Sequence, residues 1–198
     1  MNTSILVMVL YFAFFGLVHS FLADPRVKRH ARSLLGEAFD RWSRLAFTLL
    51  ALLMVIPFFY VLLFMPNKTL YVIAWPWRAL LAAGQVLAAL ALLSALRQTG
   101  ISYFLGLAQP GKNKAGKENH LVTDGFYCHL RNPLFFFGAL FLWLSPVMTE
   151  NLLAFNILAT IYFYIGARHE ERSLREEFGQ DYEDYQKRVP MFLLRLKC

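Results

Sequence analysis

Residues 120–133 read HLVTDGFYCHLRNP and residues 168–172 read RHEER, two polar clusters set beside long apolar runs. The first supplies His120, Tyr127, Arg131 and the amide of Asn132; the second supplies Glu170 and Glu171. An arginine fork takes a carboxylate through two parallel hydrogen bonds, and a carboxylate takes an ammonium. Arg and His facing two carboxylates therefore suit a zwitterionic amino-acid moiety. Tyr and Phe nearby are suited to stack on a base or to sit against a cation. Each residue also fits a plain structural role. Arg131 suits a membrane-edge anchor, Pro133 a first helical position, Asp124-Gly125 a turn, and Glu170 and Glu171 a solvated helix face. Residue types alone leave both readings open. No G-x-G-x-x-G or Walker-type loop occurs, so a Rossmann or P-loop nucleotide site is not indicated.

The elements that must position these clusters are membrane helices. The 198 residues are 58% hydrophobic and 17% charged, with 19 Phe, where a soluble domain carries about 25% charged residues. Apolar runs at 4–22, 45–65 and 77–96 are long enough to span a bilayer, and Pro76 suits the entry to the third. Two shorter runs, 134–148 and 152–166, flank the tripeptide TEN at 149–151 and read as a tight helical hairpin. The expected fold is an all-α, polytopic integral membrane bundle of about five spans, one domain over 1–198, with a cytoplasmic tail helix. The first run has no basic flank and no A-x-A-like cleavage site, so it reads as a span rather than a signal peptide.

Charge orients the bundle. Of the 20 Lys and Arg, all but Lys68 and Arg78 fall after the first span, after the third span, or in the tail. The positive-inside rule then puts the N-terminus outside, and both polar clusters and the C-terminus in the cytoplasm. That distribution accounts for the net charge of +7 with the lipid bilayer as partner and no nucleic acid. Cys128 and Cys198 both fall on the cytoplasmic side, where a disulfide is not expected. With His120 and His129 they lack a metal-ligand spacing, so no metal is expected. Residues 99–109 read as an interfacial stretch and 110–119 as an exposed loop. In the tail, 168–189, Leu174, Phe178, Tyr182 and Tyr185 form one apolar stripe, with Gly179 bending or interrupting the helix. If the hairpin closes, its cytoplasmic ends bring Arg131 close to Glu170 and Glu171. His19, near the cytoplasmic end of the first span, is a polar ring where such rings are unusual. It suits either a base or a packing histidine bonded to a carbonyl.

These motifs resemble those of the isoprenylcysteine carboxyl methyltransferase and phospholipid methyltransferase superfamily. The pattern there is H-x-LVT-x-G-x-Y-x-x-x-RHP, a hairpin, then EE-x-x-L-x-x-x-FG-x-x-Y-x-x-Y. This chain has His120-Leu121-Val122-Thr123, Gly125, Tyr127, Arg131-Asn132-Pro133, Glu170-Glu171, Leu174, Phe178-Gly179, Tyr182 and Tyr185. It departs twice: Asn132 stands where the pattern has His, and one residue is missing between His120 and LVT. HSFLADPRVKR, GLAQ and SPVMT in the rest of the chain are similar to the bacterial branch containing methanethiol S-methyltransferase, and to nurim.

The resemblance implies S-adenosylmethionine bound at the cytoplasmic face through the region 120–190. His120, Leu121, Val122, Gly125, Tyr127, Arg131, Asn132, Pro133 and Glu170 would line the cofactor. Glu170, Glu171, Arg131 and the candidate base His19 would serve catalysis. It implies methyl transfer to a small or lipophilic acceptor, a thiol first, then a phospholipid amine or an isoprenylcysteine carboxylate. The alternative is a non-catalytic, nurim-like membrane protein that keeps the fold.

Overall fold

The structure, a computed structural model, describes residues 3–100, 121–195 and 198. His120, the loop expected at 110–119 and most of the interfacial stretch before it lie outside the described residues. The helices are α1 (Thr3–Ala23), α2 (Pro25–Leu35), α3 (Glu37–Phe64), α4 (Trp77–Thr99), α5 (Pro133–Trp143), α6 (Glu150–Phe178) and α7 (Gln180–Arg188). Two short strands, β1 (Thr69–Val72) and β2 (Val147–Thr149), and a 3-10 turn at Gly125–Cys128 complete the described elements. The all-α, polytopic fold read from the sequence holds.

Among the described residues, four helices are long and apolar enough to cross a membrane: α1, Leu45–Phe64 within α3, α4 and α6. A helix satisfies its own backbone hydrogen bonds, which hydrocarbon cannot do for it. These helices leave Leu10, Leu17, Leu53, Leu63 and Leu87 exposed, the pattern of side chains whose solvent is lipid.

The hairpin differs from the expected pair of spans. The run at 134–148 is the eleven-residue α5 followed by β2, and at 1.5 Å per residue α5 is only about 16 Å long. The chain leaves the helix at Leu144, and Ser145 bonds Val147 O within the turn (2.8 Å). The strand follows because β1 offers a partner. Ile73 N–H donates to Pro146 O (2.9 Å), and the rising and falling residue numbers define an antiparallel pair. Nothing in the alternation of 147–149 announces a strand, so sequence pattern missed both. The run at 152–166 is the middle of α6, whose 29 residues reach about 44 Å, longer than a bilayer core of about 30 Å. Its polar end therefore projects beyond the apolar stretch. Gly179, at φ 53, ends α6, and α7 follows at once, so of the bend or interruption expected there the chain makes the interruption.

The chain divides into two compact units. The first comprises Met1–Lys68, Ile101–Lys117 and Thr149–Phe155. In it Tyr11 donates to Met54 O (2.8 Å) and Ser4 to Pro66 O (2.7 Å), tying α1 to α3 and the turn after it. Phe58 packs edge-on against Tyr11 at 5.0 Å and lies 5.7 Å from Phe155. Asp24 caps α2 through Arg26 N–H (2.6 Å). Asn151, fully buried, donates to Val61 O (3.3 Å) and Pro66 O (3.2 Å), while its backbone N–H donates to Asn67 Oδ1 (3.1 Å). Thr149 caps α6 by accepting from Leu152 N–H (3.2 Å).

The second unit comprises Thr69–Gly100, Glu118–Met148 and Asn156–Cys198. Here small residues let helices approach closely. The Cα of Gly138 faces Phe163 of α6, and that of Gly166 faces Phe135 of α5; an added Cβ at either would lie 3.3 Å from the ring. Gln85 of α4 donates to Phe141 O (3.0 Å), and Trp143 to Thr160 Oγ1 (2.9 Å). These contacts fix the start of α5 beside the polar end of α6.

Candidate functional site

All described residues of both sequence clusters fall in the second unit. The approach to α5 is built first. The 3-10 turn Gly125–Cys128 is held by Gln98 at the end of α4, whose Oε1 accepts from Phe126 N–H (3.2 Å). Gly125 has φ +57, and an added Cβ would collide with the Gln98 amide. Glycine suits that left-handed φ, and a side chain there would also displace the Gln98 amide that holds Phe126 N–H. Tyr185 of α7 donates to Tyr127 O (2.5 Å), and Leu121 packs on the buried cluster of Tyr182, Tyr185 and Val189. Val122 is half-buried. Pro133 is buried at the first position of α5, as its fixed φ suits.

The sequence expects Arg131 to meet a Glu, and it meets Glu171. Arg131 Nε donates to Glu171 Oε1 at 2.7 Å. Nη1 donates to Gln186 O (3.0 Å) and Val189 O (2.6 Å), and the Arg131 side chain also bonds Tyr182. Asn132 Nδ2 donates to the same Glu171 Oε1 (3.0 Å), and Gln186 Nε2 to Oε2 (3.2 Å). Asn132 and Glu171 are each 5% exposed. A carboxylate so buried is stable only with its lone pairs occupied, and these three donors occupy them. The Arg131 fork is thus spent inside the protein. Arg131 nevertheless also lines the cleft beside Glu170.

Glu170, the next residue, is placed differently. It lines a cleft with Tyr127, Arg131, Asn132, Pro133, Leu134 and Phe135. Burial, and then the Glu170 charge, raise the Tyr127 phenol above its ordinary range, so Tyr127 is neutral; its hydroxyl is also bonded to Thr99. Burial likewise raises the Tyr182 and Tyr185 phenols. The result is a carboxylate beside two aromatic rings and two apolar residues, a setting for a cation.

His19 belongs to the first unit, where its ring stacks on Phe15 (5.6 Å) and tilts against Phe47 (4.5 Å). His120 lies outside the described residues. Sequence reading passed over Gln98, Gln186 and the carbonyls of Val189 and Pro190, the last accepting from Arg131 N–H (3.0 Å). The only signal for Gln186 was its place one turn beyond Tyr182 on the tail. The two cysteines also depart from expectation. Cys128 and Cys198 are joined, with Cα atoms 5.3 Å apart, inside the usual disulfide range of about 4.4–6.8 Å. Residues 190–195 bring them together by returning to the turn, where Arg195 N–H donates to His129 O (2.9 Å).

The chain is 30% identical to methanethiol S-methyltransferase 2 of Bradyrhizobium diazoefficiens over 213 residues, covering 99% of this chain and 75% of that protein. It is 34% identical over 114 residues to methanethiol S-methyltransferase of Pseudomonas deceptionensis, spanning 58% of this chain but only 42% of that protein. It is 32% identical over 102 residues to protein-S-isoprenylcysteine O-methyltransferase of Schizosaccharomyces pombe, or 49% of this chain and 41% of that one. No family model matches the chain, and no solved structure matches it. The ordered motifs and the near full-length match agree: the chain belongs to the isoprenylcysteine methyltransferase-like superfamily of membrane methyltransferases, in the branch that holds the methanethiol S-methyltransferases.

Proposed function

We propose that this protein is an S-adenosylmethionine-dependent membrane methyltransferase acting on a small thiol, with its site at the cytoplasmic membrane edge. The observation that carries the reading is the division of labour between adjacent carboxylates: Glu171 is locked to Arg131, Asn132 and Gln186, and Glu170 lines the cleft. The relatives named for methanethiol support the thiol. The basic segments support an N-terminus outside and a cytoplasmic site, which suits a cytoplasmic cofactor.

The chemistry of the residues that line the cleft suits the cofactor. Glu170 with the rings of Tyr127 and Phe135 suits its ammonium and sulfonium charges, and Pro133 and Leu134 suit its apolar parts. When bound, the cofactor supplies an electrophilic methyl group. Arg131, Asn132 and Glu171 act as positioning residues, fixing the turn before α5 against α6 and α7. The protein then contributes alignment and exclusion of water, which dominate the barrier of an in-line displacement. A thiol must also lose its proton before attack. Glu170 is the carboxylate in the cleft able to accept it, which makes it the base of this proposal in place of His19.

Asn132 fits this scheme. Its part is an N–H donated to Glu171, which an imidazole would also supply, so titration at this position is not needed. The test is transfer of a labelled methyl group by detergent-solubilised protein to methanethiol, a lipid amine and a prenylcysteine in parallel. Methylation of the thiol ahead of the other two is expected. Preference for another acceptor overturns the thiol assignment, and no transfer to any of them favours the non-catalytic, nurim-like alternative.

A further inference from the structure

Beside the 3-10 turn, Cys128, His129 and Cys198 bring two sulfurs and an imidazole nitrogen within 4.8 Å of one another. His129 Nδ1 lies 2.6 Å from Arg195 O, an acceptor only, so Nδ1 carries the proton. Nε2 is then the lone pair, and it lies 3.4 Å from Cys198 Sγ. Zinc bonds of about 2.3 Å to sulfur and 2.0–2.1 Å to nitrogen give a tetrahedral N–S edge of about 3.5 Å. Donation of the remote imidazole N–H to a backbone carbonyl is the usual outer-shell support of a metal-bound histidine. A disulfide needs neither the tautomer nor the lone pair. The cluster also borders a cavity of about 150 Å³ that includes Thr123, Arg188 and Arg195, leaving room for a fourth, non-protein ligand.

We propose that, with its cysteines reduced, this cluster binds one thiophilic divalent cation of the Zn²⁺ class through Cys128 Sγ, Cys198 Sγ and His129 Nε2. A dithiol reductant gives the Cys128–Cys198 bond two electrons and two protons and is itself oxidised to a disulfide. The metal then displaces two thiol protons, so two protons are released per ion bound and the site becomes formally neutral. The ion holds Cys198 at the 3-10 turn, beside residues 190–195, which supply the Pro190 carbonyl to Arg131. The inference stands whether or not the protein transfers methyl groups.

The test uses full-length, detergent-solubilised protein, reduced and held under argon, titrated with Co²⁺ and then with Zn²⁺. One Co²⁺ per chain, a thiolate-to-cobalt charge-transfer band, its displacement by Zn²⁺ and release of two protons are expected. Cys128→Ser and Cys198→Ser should each weaken binding beyond the roughly 10- to 100-fold that loss of an outer-shell partner costs. His129→Gln should keep the thiolate band but weaken binding at least 10-fold. Thermal melts of each variant check that it is folded. Absence of a stoichiometric thiolate band overturns the site, as does a Cys128–Cys198 bond that resists the reductant. Unchanged affinity in His129→Gln overturns the three-ligand set.

Discussion

The two ends of α6 each carry a polar cluster centred on a buried residue, Asn151 at one end and Glu171 at the other, and they are built from different chemistry. At the N-terminal end, in the first unit, Asn151, Asn67 and Thr149 form a neutral network whose acceptors include the carbonyls of Val61 and Pro66. At the C-terminal end, in the second unit, Arg131, Asn132 and Gln186 converge on the charge of Glu171. The neutral network ties the start of α6 to the end of α3, and it leaves Asn151 Oδ1 buried without a hydrogen-bond partner. The charged one holds a buried carboxylate in place while its neighbour Glu170 lines a cleft. The packing does not need Glu170, which is why the proposed function rests on it.

Breaking the charged end should have the largest effect. Glu171→Ala leaves Arg131 buried without its partner, and loss of one member of such a pair costs about 3–5 kcal/mol. Thermal unfolding in detergent should record that loss, together with loss of methyl transfer; a melt unchanged from the parent contradicts the network. The neutral end should separate stability from activity. Asn151→Ala is expected to cost about 1–3 kcal/mol by leaving carbonyls unpaired, with methyl transfer per folded molecule kept. A selective loss of turnover there would erase the contrast between the ends.

The comparison sharpens at Asn132. Asn132→His retains a donor to Glu171 and should keep activity within a few-fold, whereas Asn132→Ala should cost about 1 kcal/mol and lower turnover. Equal behaviour of the two variants would deny the hydrogen bond its role. The smallest effect concerns pH. Tyr127, Tyr182 and Tyr185 have phenols raised above the ordinary 10.0, chiefly by burial. Unfolded tyrosines release protons first, so their contribution is complete below that value and is lost as pH rises toward the folded values. Melting temperature should fall as pH rises above about 10, and less steeply in Tyr185→Phe.

Sequence showed the membrane class because hydropathy over some twenty residues is a strong signal. It brought Arg131 and Glu171 together because a closed hairpin leaves few other arrangements. It did not separate Glu170 from Glu171, since adjacent helical residues point about 100° apart and only packing decides which is buried. The β1–β2 pair, the shortness of α5 and the clustering of Cys128 with Cys198 depend on chain segments far apart in sequence, which local pattern does not register. Asn132 drew attention as a missing titratable group, and the structure gives it a neutral role that residue type alone could not assign.

The most direct measurement is calorimetric binding of S-adenosylmethionine to solubilised parent protein and to Glu170→Gln, a substitution that removes charge from the cleft and leaves the Glu171 network intact. The parent should bind one equivalent, and Glu170→Gln should bind at least 10-fold more weakly with an unchanged melting temperature. Equal affinity in the two proteins, or no binding by the parent, would contradict the assignment of Glu170 as the carboxylate that meets the cofactor.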